Sequence, residues 1–238
     1  MKTVYQGGEG EITEKKSRFI ATIRPVESEE EAAAFIAEMK KKYWDARHNC
    51  SAFVIGNRQE LSRCSDDGEP AQTAGRPMLD VLLKEEIHNT AVVVTRYFGG
   101  TLLGTGGLVR AYQKAVHAGL SNCVLIDKKI GKKLTIQTDY NGLGKIQYIL
   151  AQQEITVIET DYTESVRMHV MVPIGCEKRL TEAVTEGTGG TAGLYWGEET
   201  EFAMLNGEMI LFDSKNVKKM EKSVDISEIG MYNIDCWL

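Results

Sequence analysis

Hydrophobic and polar positions along this chain alternate in short runs broken by stretches of helical periodicity. Residues 17–24 (SRFIATIR) and 49–56 (NCSAFVIG) carry the small and branched residues of strands. Residues 90–95 (TAVVVT) form a continuous apolar run of the kind that is buried on both faces. Helices are predicted over 29–43, 73–86 and 108–120, with a polar loop at 62–70 before the second. Ser28, with Glu31 three residues on, has the form of a capping box that opens the first helix. In the third, Leu108, Ala111, Tyr112, Ala115 and Gly119 make one stripe, small enough to lie close on a sheet. Arg110, Lys114 and His117 share the opposite face, and a strand at 123–130 follows.

After a polar hinge at 128–133 the pattern restarts. Strands are predicted at 133–139, 155–160 and 165–172, helices at 141–153 and 175–186, and further strand material at 191–205. This β-α-β-β-α-β order is the ferredoxin-like arrangement. Residues 206–238 mix charged and apolar positions and receive no element. The expected architecture is therefore α+β in two domains, 1–130 and 131–205, with an extension over 206–238.

Composition places limits on what this chain can be. A length of 238 residues suits two domains, and 42% hydrophobic with 26% charged residues is ordinary for a globular protein. The net charge of −6 is uneven: residues 1–130 hold 18 basic and 17 acidic side chains, and residues 131–238 hold 10 and 17. A globally basic nucleic-acid binder is excluded, so any such role needs a local patch. Cys50, Cys64, Cys123, Cys176 and Cys236 are scattered without a C-x-x-C pair, which suits reduced thiols and not a disulfide framework or zinc site. Residues 1–19 are polar and charged, unlike a secretory leader, and runs such as 91–94 are too short to span a bilayer. A cytoplasmic protein without a membrane segment is expected.

One window stands apart from this average. Between Ile87 and Ile126 there is no Asp or Glu, where the overall frequency (34 in 238) would give about six. The same window holds Arg96, Arg110, Lys114 and His117, and the glycines Gly99, Gly100, Gly104, Gly106 and Gly107. Main chain that can approach a ligand closely, beside unopposed positive charge at a helix start, suits an anion such as phosphate. The alternative is an ordinary solvated helix face. The cluster lacks the Gly-Lys-Ser/Thr ending of a P-loop and fails the dinucleotide fingerprint at its last glycine, so no nucleotide cofactor is implied. Asp66, Asp67 and Glu69 could hold a hard cation, or could serve an ordinary turn ahead of a helix. His48 lies near Cys50, Ser51 and Ser65, yet the surrounding sequence has no nucleophile elbow. Tyr97 and Phe98 could stack on bases, although at least one is expected in the core.

Two long segments carry a resemblance. They are Ser65-Asp66-Asp67-Gly68-Glu69-Pro70-Ala71-Gln72-Thr73-Ala74-Gly75-Arg76-Pro77 and the run from Val92 to Tyr112 that contains Arg96-Tyr97-Phe98-Gly99-Gly100. With His48-Asn49-Cys50 they resemble the IMPACT family, also called the YigZ-like family, in its bacterial branch. The resemblance implies a first domain similar to domain IV of elongation factor G, of the ribosomal protein domain-2-like fold. It implies a ferredoxin-like second domain similar to domain V of that factor. It also implies a role in translation, since eukaryotic members compete for an activator of a kinase that phosphorylates an initiation factor. The chain departs at Gln72, where the family pattern has glycine, so a loop that needs positive φ there would be strained.

The leading expectation is a non-enzymatic, translation-associated protein that binds RNA, the ribosome or a translation factor through a basic glycine-rich groove. Its binding residues would be His48, Thr73, Arg76, Arg96, Tyr97, Gly104, Thr105, Gly106, Arg110 and Lys114. Asp66, Asp67 and Glu69 would support the loop or hold a metal. No cofactor, no membrane and a monomeric state are expected. Two further readings stay open: a metal-assisted, peptidase-like hydrolase at the Asp66/Asp67/Glu69 loop, and a regulator that binds protein alone.

Overall fold

A computed structural model describes residues 1–212, and the part of the expected extension beyond Phe212 lies outside the described residues. The chain divides into two compact units between Lys128 and Lys129. The first holds β1 (Lys2–Gln6), β2 (Gly8–Glu14), β3 (Ser17–Pro25), α1 (Glu29–Lys42), β4 (His48–Ile55) and β5 (Leu61–Ser65). It continues with α2 (Gly75–Lys84), β6 (Ile87–His88), β7 (Thr90–Tyr97), α3 (Thr105–Ser121) and β8 (Val124–Asp127).

Its main sheet is antiparallel in the order β2-β3-β7-β4-β5, and a smaller sheet runs β6-β1-β8. The apolar run of β7 is buried on both faces, as its composition requires. On one face Ala91 and Val93 pack with Phe53 and Ile55 against Ala32, Phe35 and Met39 of α1. On the other, Val92 and Val94 pack with Phe19, Ala21, Cys50 and Ala52 beneath α2 and α3. The α3 stripe lies on this face, with Leu108, Ala111, Tyr112, Ala115 and Gly119 all buried. Arg110, Lys114 and His117 are exposed.

Local expectations hold with corrections. Ser28 Oγ accepts from the Glu31 amide at 3.2 Å, but Glu31 reaches the Glu27 amide at 2.8 Å and not that of Ser28, so only half of the capping box forms. α3 begins three residues early, at Thr105, which places Gly106 and Gly107 in its first turn. Strands β1, β2, β5 and β6 were not foreseen, and β5 occupies part of the expected polar loop.

The second unit holds β9 (Lys129–Thr138), α4 (Tyr140–Gln152), β10 (Thr156–Tyr162), β11 (Val166–Pro173), α5 (Glu177–Thr188), β12 (Gly193–Leu205) and β13 (Glu208–Phe212). The order β10-β11-β9-β12 is ferredoxin-like, with β13 added as an antiparallel edge. Leu134, Ile136, Met168 and Val170 of the sheet pack with Ile146 and Leu150 of α4 and Leu180 and Val184 of α5. The hinge expected at 128–133 is strand from Lys129 onward, because β9 pairs through Gly131 and Lys132 with β11 and β12. Residues 208–212, expected in the extension, complete the sheet.

Gly10 of β2 lies hard against α3: a Cβ built there runs into the backbone of Ala118 and Gly119. Gly10→Ala is therefore expected to destabilise the first unit by about 1–3 kcal/mol. Urea denaturation checks this, and an unchanged midpoint would show that α3 does not sit this close.

Candidate functional site

A groove of about 430 Å³ opens in the first unit beside the start of α3. Cross-strand register builds its floor, because Arg96 of β7 pairs with Phe19 of β3 on one side and His48 of β4 on the other. Side chains in one such row share a face. The Arg96 side chain is only 7% exposed, with its guanidinium 5.4 Å from the Phe19 ring and 5.5 Å from the Phe98 ring. Its Nη1 donates to Glu69 Oε1 at 2.6 Å. The same oxygen accepts from the Tyr112 hydroxyl at 2.9 Å and lies 4.0 Å from His48 Nε2. Tyr112 is fully buried, edge-on to Phe19 with centroids 5.2 Å apart, and Cys50 Sγ is 3.3 Å from its hydroxyl. Burial, with the Glu69 carboxylate nearby, pushes both the Cys50 thiol and the Tyr112 phenol up.

A buried arginine left alone would be strongly unfavourable, and the carboxylate together with two ring faces supplies what water would. Arg96 Nε still lacks an acceptor among the described residues. Above this floor, Arg47, His48 and Thr105 give polar lining, while Pro70, Phe98, Leu102, Leu103 and Leu108 give apolar lining. Phe98 and Leu102 are 49% and 83% exposed. Tyr97 is half-buried and donates to Asp45 at 2.9 Å, and Phe98 is exposed, so neither enters the core, where at least one was expected.

The acidic loop is a brace. Asp66 accepts from the amides of Gln72 (2.8 Å), Ala74 (3.0 Å) and Gly75 (2.8 Å), which meets the open start of α2. Asp67 accepts from the Asn49 amide at 2.7 Å and from Lys40 Nζ at 2.6 Å. Burial opposes ionisation of Asp67, yet these donors outweigh it and hold the carboxyl below its usual range. The three carboxylates thus face different partners, and among the described residues no group of three His, Cys, Asp or Glu side chains could hold a metal. Thr73 is buried and donates to the Pro70 carbonyl at 2.7 Å. α3, by contrast, begins at Thr105 after Gly104, whose φ is +73°; it has no side-chain cap among the described residues, and Gly104 and Thr105 line the groove.

The expectation of unopposed cations is corrected for Arg76, Arg96 and Lys114. Sequence near Arg96 and Lys114 lacks acids, but folding brings them from elsewhere: Glu69 to Arg96 and Glu14 to Lys114 at 3.6 Å. Arg76 pairs with Asp80 at 2.8 Å, one helical turn on. Arg110 has no carboxylate partner among the described residues, and its Nη1 lies 3.5 Å from where a Cβ on Gly106 would sit. Of the expected binding residues, His48, Arg96, Gly104 and Thr105 line the groove, as does Glu69 of the supporting loop. Thr73, Arg76, Tyr97, Gly106, Arg110 and Lys114 do not. Sequence reasoning missed Arg47, Leu102 and Leu103, although the last two sit inside the glycine cluster, where apolar residues in a loop are a readable signal.

The fold and site define a two-domain α+β protein: a sheet domain with a partly apolar groove, followed by a ferredoxin-like domain. Residues 15–120 match the Impact N-terminal domain, and residues 136–191 match a domain of unknown function, DUF1949. The IMPACT family member YvyE of Bacillus subtilis is 43% identical over 198 residues, covering 83% of this chain and 91% of that protein. The IMPACT family member YigZ of Escherichia coli is 40% identical over 161 residues, covering 67% and 79%. A crystal structure of a hypothetical protein aligns with a TM-score of 0.52 at 34% identity, covering 83% and 97%. The chain belongs to the IMPACT family. No helix among the described residues is long and apolar enough to cross a membrane.

Two outcomes are expected from this geometry. Gln72 adopts φ +62°, a left-handed conformation that costs a non-glycine residue about 1–2 kcal/mol, part of which glycine returns as unfolded-state entropy. Gln72→Gly should therefore raise unfolding stability by about 0.5–1 kcal/mol in urea titrations; a loss would show that the loop needs the glutamine. Cys50 in the native protein should resist iodoacetamide at neutral pH until denaturant is added, as peptide mass spectrometry would read out. Rapid native alkylation would contradict its raised pKa.

Proposed function

We propose that the protein is a non-enzymatic, translation-associated binding module of the cytoplasm, and that the groove beside α3 takes its partner. The observation that carries this reading is the groove itself. An exposed apolar rim of Phe98 and Leu102 and an uncapped helix start stand over a fixed ion-paired floor. Such a surface is suited to holding something, and the groups that could do chemistry are occupied. Glu69 is committed to Arg96 and Tyr112, Asp66 and Asp67 to backbone amides, and the Cys50 thiol is buried and hard to ionise. The peptidase-like alternative would need at least one of them free. The role in translation is supported by family membership, whose eukaryotic branch the sequence resemblance links to translational control.

The test is affinity capture of the tagged full chain from lysate, with identified ribosomal proteins and translation factors as the readout. Wild type should enrich components of the translation apparatus. Leu102→Glu, at a position 83% exposed and so harmless to folding, should lose them. An identical profile for the two proteins would remove the groove from the account, and a profile with no translation component would remove the role.

A further inference from the structure

The groove has chemistry specific enough to say what class of occupant it takes. The charge census of the first unit argues against a polyanion: residues 1–128 hold 17 Lys and Arg against 17 Asp and Glu. A nucleic-acid backbone is gripped by a row of free cations, each displacing counterions. Here Arg96 is paired with Glu69, Arg76 with Asp80 and Lys114 with Glu14, while Arg110, without a carboxylate partner among the described residues, stands outside the lining, so no row of free cations lines the groove. What remains in the lining is one exposed arginine, Arg47, together with His48, Thr105 and the open start of α3. That set matches a single negative group.

Two further observations point the same way. Arg96 lines the groove and is nine-tenths buried, and its Nε, itself closed to solvent, finds no acceptor among the described residues, so the floor keeps an unmatched donor beneath the lining. About half the lining is apolar, and Phe98 and Leu102 are far more exposed than such side chains usually are. A volume of about 430 Å³ accommodates one or two large side chains.

Resting on the groove reading above, we infer that the occupant is a segment of a partner protein that presents one aspartate or glutamate flanked by bulky apolar side chains. The carboxylate accepts from the first-turn amides of α3, taking the place of the missing cap, with Arg47 supplying charge. The flanking apolar side chains cover Phe98 and Leu102, whose exposure in the free protein this explains.

The experiment uses the purified full chain labelled with nitrogen-15 and three probes: a blocked pentapeptide with aspartate between two leucines, its asparagine counterpart, and decauridylate. The aspartate peptide should shift the Thr105, Gly106 and Gly107 amides saturably. The asparagine peptide should bind about tenfold more weakly, as should the aspartate peptide to Arg47→Ala, whose exposed position spares the fold. The inference is overturned if decauridylate moves those amides at lower concentration than the peptide. It is also overturned if both peptides bind equally, or if the aspartate peptide moves none of the three amides. Should the peptide fail while Leu102→Glu still abolishes capture of translation components, only the occupant is wrong. Should both fail, the groove reading fails with it.

Discussion

A single buried contact organises the first domain: Arg96 Nη1 to Glu69 Oε1, 2.6 Å apart, with both side chains more than nine-tenths buried. Two charges at that depth carry a desolvation cost of several kcal/mol each, and it is offset only if the geometry is held from all sides. The holding is visible. Phe19 and Phe98 lie on the guanidinium, the Tyr112 hydroxyl donates to the carboxylate, and Cys50 stands behind Tyr112. These residues come from β3, β4, β7, α3 and the loop after β5, so the pair ties together the elements that meet at the groove. The loop that delivers Glu69 is itself fixed, Asp66 by three amides and Asp67 by Lys40 and the start of β4.

That arrangement reverses the simplest meaning of the acid-free window. Absence of carboxylates from a stretch of sequence leaves its cations free only if none arrives from elsewhere in space. Glu69 arrives from 27 residues away, and Glu14 reaches Lys114 from β2. The domain consequently presents an apolar, weakly charged groove with one open helix end, in place of a basic stripe. In the reading proposed above, such a surface takes a short, chemically mixed segment in preference to a repeating phosphate chain.

What could be read beforehand follows the physics of each signal. The doubly buried β7 and the small-residue stripe of α3 were legible because periodicity and burial are local properties of the chain. The βαββαβ order of the second domain was legible for the same reason. Strands β1, β2 and β5 were not: GEGEITE mixes glycine with charge, and β5 is an edge with four of its five residues exposed. The β9 start at Lys129 was hidden by lysines that pair through their backbone while their sequence reads as a hinge. Within the site, His48, Arg96, Gly104 and Thr105 were legible as groove residues, and Gln72 as a position of strain. Their ion-pair partners were not, because long-range charge pairing leaves no mark in a single sequence.

The central claim is that Arg96 and Glu69 act as one structural unit beneath the groove. A double-mutant cycle with Arg96→Met and Glu69→Leu, read by urea unfolding of the first domain, measures it directly. Each single variant should lose about 3 kcal/mol or more, because it strands a buried charge, and the double variant should recover much of that loss. Losses that simply add, with no coupling between the two positions, would contradict the account.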